Sequence, residues 1–162
     1  MFESAAKVAR QQLWLIKSIA RDFDDAQYAQ PHGGAKNPPA FILCHLCVAA
    51  DFLLSRMGKP GYCPANWREN FGPTAKPENV KIPYPPKAEV LAILEKSLLA
   101  ACAASAEVTP EFAAQPHGIP FLAGTPIETN GDFITLLLAS HPALHAGQLS
   151  VMRRQLGHAP LF

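Results

Sequence analysis

Apolar residues recur along this chain at steps of three and four in four separate stretches. In residues 2–27 they fall at Phe2, Ala6, Ala9, Leu13, Ile16, Ala20 and Phe23. That is the heptad-like stripe of a helix facing a bundle core. Lys7, Arg10, Lys17 and Arg21 lie off it. A second stripe, Ile42, His45, Ala49 and Phe52, belongs to a segment opening at Asn37-Pro38-Pro39 and ending near Met57. Asn37 suits the N-cap there, proline the first turn and Gly58 the C-cap. The third segment covers residues 86–106 and repeats the steps at Leu91, Leu94, Leu98 and Ala101. The fourth opens near Gly131-Asp132, with Asp132 as its cap, and runs to Leu156 before the stop at Gly157. Its stripe reads Ile134, Leu138, His141, His145, Gln148 and Met152. No segment alternates strictly, so a β-fold matches poorly.

The 16 prolines punctuate this pattern. They cluster in residues 31–39, 60–86 and 110–126, and because proline interrupts helices and strands alike these clusters mark connections. Four helices between them predict an all-α, four-helix bundle. The connection over residues 58–85 is long enough to cross the bundle and let helices two and three run parallel. Tyr62, Trp67 and Phe71 within it predict a loop packed on the bundle. The length of 162 residues favours one domain spanning residues 1–162, large enough to fold without disulfides or metal.

Formal net charge is +1, with 17% charged residues and no basic stripe. This argues against nucleic acid and against an anionic membrane surface as partners. The N-terminus carries Glu3, Lys7 and Arg10 without an apolar core, unlike a signal peptide. No uninterrupted apolar run reaches the roughly 18 residues of a membrane span, because His45 and Asp51, or His141 and His145, interrupt the longest ones. The expectation is a cytoplasmic protein whose four cysteines, Cys44, Cys47, Cys63 and Cys102, are reduced thiols.

Candidate chemistry sits on the stripes. His32, His117 and His158 fall in turn-like stretches or past the last helix and read as solvent-facing. His45, His141 and His145 occupy core positions of helices. One such histidine is ordinarily a satisfied core residue. Three bury up to six ring nitrogens that need partners, and a metal accepts three at once. His141 and His145 stand i and i+4 on one face, and His45 would complete the set from a facing helix. Three neutral imidazoles with an open position suit Zn²⁺, Ni²⁺ or another divalent first-row ion. The stretch FILCHLC does not form a single site of its own. At about 100° per residue, Cys44 and Cys47 point away from His45 and read as packing residues. Cys102 reads the same way, and Cys63 as a loop thiol.

Pro142 removes the hydrogen bond to the Leu138 carbonyl and predicts a kink, either re-aiming His141 or simply tolerated. Gln148, one turn past His145, is placed to hydrogen-bond a ligand or a bound water, or is a polar residue at the bundle end. Arg153 and Arg154 suit the helix dipole. No aspartate or glutamate falls on the histidine-bearing stripes.

A histidine in the second helix and a fourth helix reading HPALHAGQLSVMRRQLG resemble the DinB-like superfamily. That group includes YfiT-like metal-dependent hydrolases and thiol-dependent S-transferases. NPPAFILCHL resembles the opening of the family's second helix, YPPKAEVLAIL its third, and LGHAPLF a frequent C-terminus. The resemblance implies up-down-down-up order, a divalent metal on three histidines corresponding to His45, His141 and His145, and frequent dimerisation. Some members transfer a low-molecular-weight thiol to an electrophile, and one branch isomerises maleylpyruvate with mycothiol. The chain departs from the family in Pro142, where an acidic residue is usual, and in Leu144, where an aromatic is usual.

The combined expectation is a metal-dependent enzyme of thiol S-transferase or hydrolase type, acting on a small molecule. The lack of a stripe carboxylate weakens the hydrolase reading more than the transferase one. A non-catalytic metal-binding module and a metal-free interaction protein are the rivals.

Overall fold

A computed structural model describes residues 1–161; Phe162, the end of the LGHAPLF motif, lies outside the described residues. The described residues form an all-helical fold, with one isolated antiparallel bridge between Pro116 and Thr129. Its four principal helical stretches lie where the stripes predict them. Helix α1 spans Glu3–Ala20, and its apolar stripe is buried from Ala6 to Ile16. It ends sooner than the expected 2–27 segment because Asp24 starts a new helix, α2 (Asp25–Ala29). The Asp24 side chain accepts from the Gln27 N–H at 2.8 Å, and the Gln27 side chain accepts from the Asp24 N–H at 3.0 Å. This reciprocal box nucleates the second turn at a new angle.

Helix α3 (Pro39–Arg56) is the most buried. Its N-cap is Pro38, not Asn37, and no side chain caps it; Pro39 takes the first helical position, where its missing N–H costs nothing. Gly58 ends it at φ +72°, with the Lys59 N–H on the Leu54 carbonyl and the Gly58 N–H on the Ser55 carbonyl, a Schellman closure. Contrary to the expectation from interrupted runs, α3 is apolar enough over 18 residues to pass for a membrane span. Within the fold 67% of that window is buried, which accounts for its hydropathy.

The crossover holds α4 (Trp67–Phe71), with Trp67 and Phe71 buried as expected. Tyr62 instead lies at the surface, under the Lys96 ammonium at 4.4 Å from the ring centre. Helix α5 (Lys87–Ser105) packs most extensively on α3 and also against α1. After α6 (Pro110–Ala114) comes α7 (Asn130–Thr135). Its N-cap is Thr129, and Asp132 is the third residue of a capping box, not the cap itself. Helix α8 (His141–Gln155) packs on α1 and α3, closing the ring of four long helices.

Between α7 and α8 the chain makes a π-turn over Leu136–Ser140, in which the His141 N–H reaches back five residues to the Leu136 carbonyl. Pro142 explains it. The pyrrolidine ring has no N–H and would collide with the carbonyl four residues before it. One wider turn moves that carbonyl aside, so the predicted kink takes the form of a π-bulge. The last π residue, Ser140, directly precedes His141.

Candidate metal centre

The π-turn and the α3 surface bring His45, His141 and His145 together. The Nε2 atoms of His45 and His145 each lie 3.2 Å from Nε2 of His141. One ligand nitrogen from each of the three falls within 4.8 Å of the others. Two nitrogens held at 2.0–2.1 Å from one tetrahedral ion stand about 3.3 Å apart. The observed spacing is that of ligands sharing an ion.

The outer nitrogens decide the chemistry of the inner ones. His45 Nδ1 lies 2.8 Å from the Phe71 carbonyl, which only accepts, so Nδ1 carries the proton and Nε2 points its lone pair inward. His145 Nδ1 donates to Gln148 Oε1 at 2.8 Å, with the same consequence. At least two lone pairs, and with His141 up to three, then face one small space. His141 Nε2–H could satisfy only one of its neighbours. A divalent ion satisfies all three, as the histidine-with-carbonyl arrangement of metal sites does. The donor set fits a metal ion.

Protons are poor substitutes for that ion. Burial lowers the pKa of His141 to about 3, and its imidazole neighbours His145 and His45 push the same way. Burial and then His45 lower that of His145 to about 4. Burial also lowers His45, against a smaller opposing effect of its carbonyl partners. All three are neutral imidazoles near pH 7, ready to coordinate.

His45 and His141 border a cavity of about 460 Å³ lying between α3, the crossover and the segment before α7. Val48, Phe52, Phe133 and Leu137 supply apolar wall. The cavity also meets Asp51, which the stripe pattern treats only as a break in an apolar run. Both Asp51 oxygens are engaged: Oδ1 accepts from the Ser97 hydroxyl at 2.7 Å, and Oδ2 from the Tyr62 and Cys63 N–H groups at 2.7 and 2.6 Å. It fastens the crossover to α3 and α5. Gly61 is required there, because a Cβ would come within 2.4 Å of Oδ2.

All four cysteines are free thiols. Cys44, Cys47 and Cys102 are buried packing residues, as expected. Cys63 lines the cavity, and burial followed by the charge of Asp51 pushes its thiol pKa well up, which disfavours the nucleophilic thiolate. His117 corrects its expectation. It is 6% exposed, with Nε2–H on the Ile127 carbonyl and Nδ1 accepting from the Ile119 N–H, both at 2.7 Å. His32 is half-buried, stacked on Phe23 and bonded to the Gln27 carbonyl. Arg153 is buried and pairs with Asp22, anchoring the end of α8 to the corner after α1.

An all-helical fold whose principal helices converge three imidazoles beside a cavity defines a helical protein positioned to hold a metal ion. The chain belongs to the DinB superfamily, whose family model matches residues 9–149. No curated relative matches the chain closely enough to add to this.

Proposed function

We propose that this protein is a divalent-metal-dependent enzyme of the thiol S-transferase or hydrolase type, with the bundle in the family's up-down-down-up order. One observation carries the reading: three Nε2 atoms converge beside the cavity, at least two of them with their lone pairs inward because the opposite ring nitrogens donate elsewhere. His45, His141 and His145 would hold the ion, and Gln148 would orient His145. Zn²⁺ and Ni²⁺ match three neutral imidazoles best. A divalent ion held there supplies Lewis acidity, lowering the pKa of a thiol or water that reaches the open position.

The chain's own residues favour the thiol over water. The carboxylate lining the cavity, Asp51, has both oxygens engaged by three donors that fasten the crossover to α3 and α5, so it is committed to that clamp and not to a bound water. A thiol needs less help, because its own pKa lies much nearer neutrality. The apolar walls exclude water from the electrophile that such a thiolate would attack.

Elemental analysis of purified protein beside a His45/His141/His145→Ala triple variant tests the metal. About one equivalent in the wild type and none in the variant is expected. Near-zero metal in both, even after incubation with Zn²⁺ and Ni²⁺, would end the proposal. With metal present, thiol consumption against electrophilic acceptors is the next measurement. If no tested pair reacts, the non-catalytic module takes its place.

A further inference from the structure

We infer that Arg68 selects the cavity's ligand: a small, mainly apolar molecule bearing one anionic group, a carboxylate by preference, at the end remote from the histidines. The inference rests on reading the histidine cluster as the reactive end of this cavity.

Arg68 lines the cavity from α4, with its guanidinium carbon 5.8 Å over the Phe52 ring. Among the described residues no carboxylate lies within 4 Å of it, whereas Lys7, Lys17, Lys59, Lys81 and Arg153 each have one. The acid lining the same cavity, Asp51, turns both oxygens to other donors. At its exposed rim the cavity therefore presents one cation without a carboxylate partner, over the apolar face of Phe52, while the charge of Asp51 is held at the crossover by neutral donors; an anionic group on an apolar body meets Arg68 there.

The placement is firm. Arg68 stands on a five-residue helix whose Trp67 and Phe71 are buried. Asn70 fixes that helix by donating to the Asn66 carbonyl and accepting from the Lys81 N–H. Phe52 follows His45 by seven residues on one helix, about 10 Å along its axis. The anionic group and the reacting centre of the ligand should therefore stand about 10 Å apart, the reach of a chain of about eight carbons. The same short helix serves both ends: the Phe71 carbonyl orients His45, and Arg68 faces the anion.

Calorimetric binding of octanoate and octan-1-ol to the purified protein tests this. The Arg68→Met variant keeps the stem over Phe52 and removes the charge, and its exposed position leaves folding intact. The wild type should prefer octanoate by about ten-fold, and Arg68→Met should abolish that preference. Arg68→Lys should retain part of it. The preference should survive in the histidine triple variant. Equal binding of acid and alcohol by the wild type overturns the inference. So does a preference that persists in Arg68→Met but vanishes in the triple variant, which would place the carboxylate at the metal centre instead. Metal content, measured separately, decides the histidine reading on its own.

Discussion

His117 is buried and the cluster of His45, His141 and His145 is half-buried, and the two satisfy their ring nitrogens in opposite ways. His117, in the loop before α7, satisfies both ring nitrogens with backbone groups close in sequence, the Ile119 N–H and the Ile127 carbonyl. The cluster of His45, His141 and His145 satisfies its outer nitrogens at Phe71 and Gln148 and turns Nε2 on Nε2. Burial alone therefore does not mark a ligand. What marks one is a set of second nitrogens turned on one another, because one shared proton cannot satisfy every lone pair among them and a cation can. One arrangement staples a loop; the other converges three ring nitrogens at the spacing of ligands to one ion.

The sharpest way to break this contrast is to truncate one histidine of each kind. His141→Ala removes the nitrogen that both partners approach and should abolish stoichiometric metal binding while leaving the fold intact. His117→Ala strands a buried N–H and a buried carbonyl and should cost about 1–3 kcal/mol of stability with metal content unchanged. Elemental analysis and urea unfolding of the two variants check this together. If His117→Ala lost metal, or His141→Ala kept it, the distinction between the two kinds of histidine would be wrong.

The two regions also differ in how far the sequence reveals them. The cluster lies on helices, where a period of 3.6 residues carries geometry directly, so His141 and His145 can be placed on one face from spacing alone. His45 follows because its stripe is shared with Ala49 and Phe52. His117 sits in PHGIP, where the same residue types serve exposed turns, and its burial depends on the loop folding back onto Phe133. Nothing local encodes that return. The Phe71 carbonyl is invisible for a deeper reason: every residue carries one, so no residue type announces its use. Asp51 is legible as a break in an apolar run, yet its partners Ser97, Tyr62 and Cys63 come from two other segments. The break after α1 was legible in principle, since Asp24 and Gln27 have capping-box spacing, but the continuing apolar stripe masked it. Pro142 predicts a distortion, but its form as a π-bulge depends on the surrounding packing.

The carbonyl that orients His45 can be moved without touching a histidine. Gly72 follows it, and a Cβ there would come within 2.5 Å of the Arg68 carbonyl. Gly72→Ala must therefore shift the end of α4 and carry the Phe71 carbonyl off His45 Nδ1. The expected cost is about 1–3 kcal/mol in the metal-free protein and about ten-fold in metal affinity. Gly147→Ala is the matched control. It lies two residues from His145, a Cβ there meets nothing within 4 Å, and helix propensity predicts a small gain in stability with unchanged metal affinity. Chelator competition and urea unfolding separate the two. Loss of metal affinity in the control as well would mean that the centre responds to any change in the bundle.

The smallest effect should come from the outermost contact. Gln148 is exposed, so water can replace its oxygen on His145 Nδ1 when the side chain is removed. Gln148→Leu should therefore weaken metal binding by no more than about ten-fold, the low end for groups that orient a ligand. Gln148→Glu tests the sign. A carboxylate accepts the same N–H bond more strongly, raises the electron density at His145 Nε2 and adds negative charge near the ion, so affinity should rise above that of the wild type. Chelator competition at fixed pH ranks the three proteins. The order Glu above Gln above Leu assigns Gln148 to the centre. Three equal affinities would leave it a polar residue at the end of the bundle, and His145 would then owe its orientation to the packing around it, unlike His117, which two backbone hydrogen bonds hold.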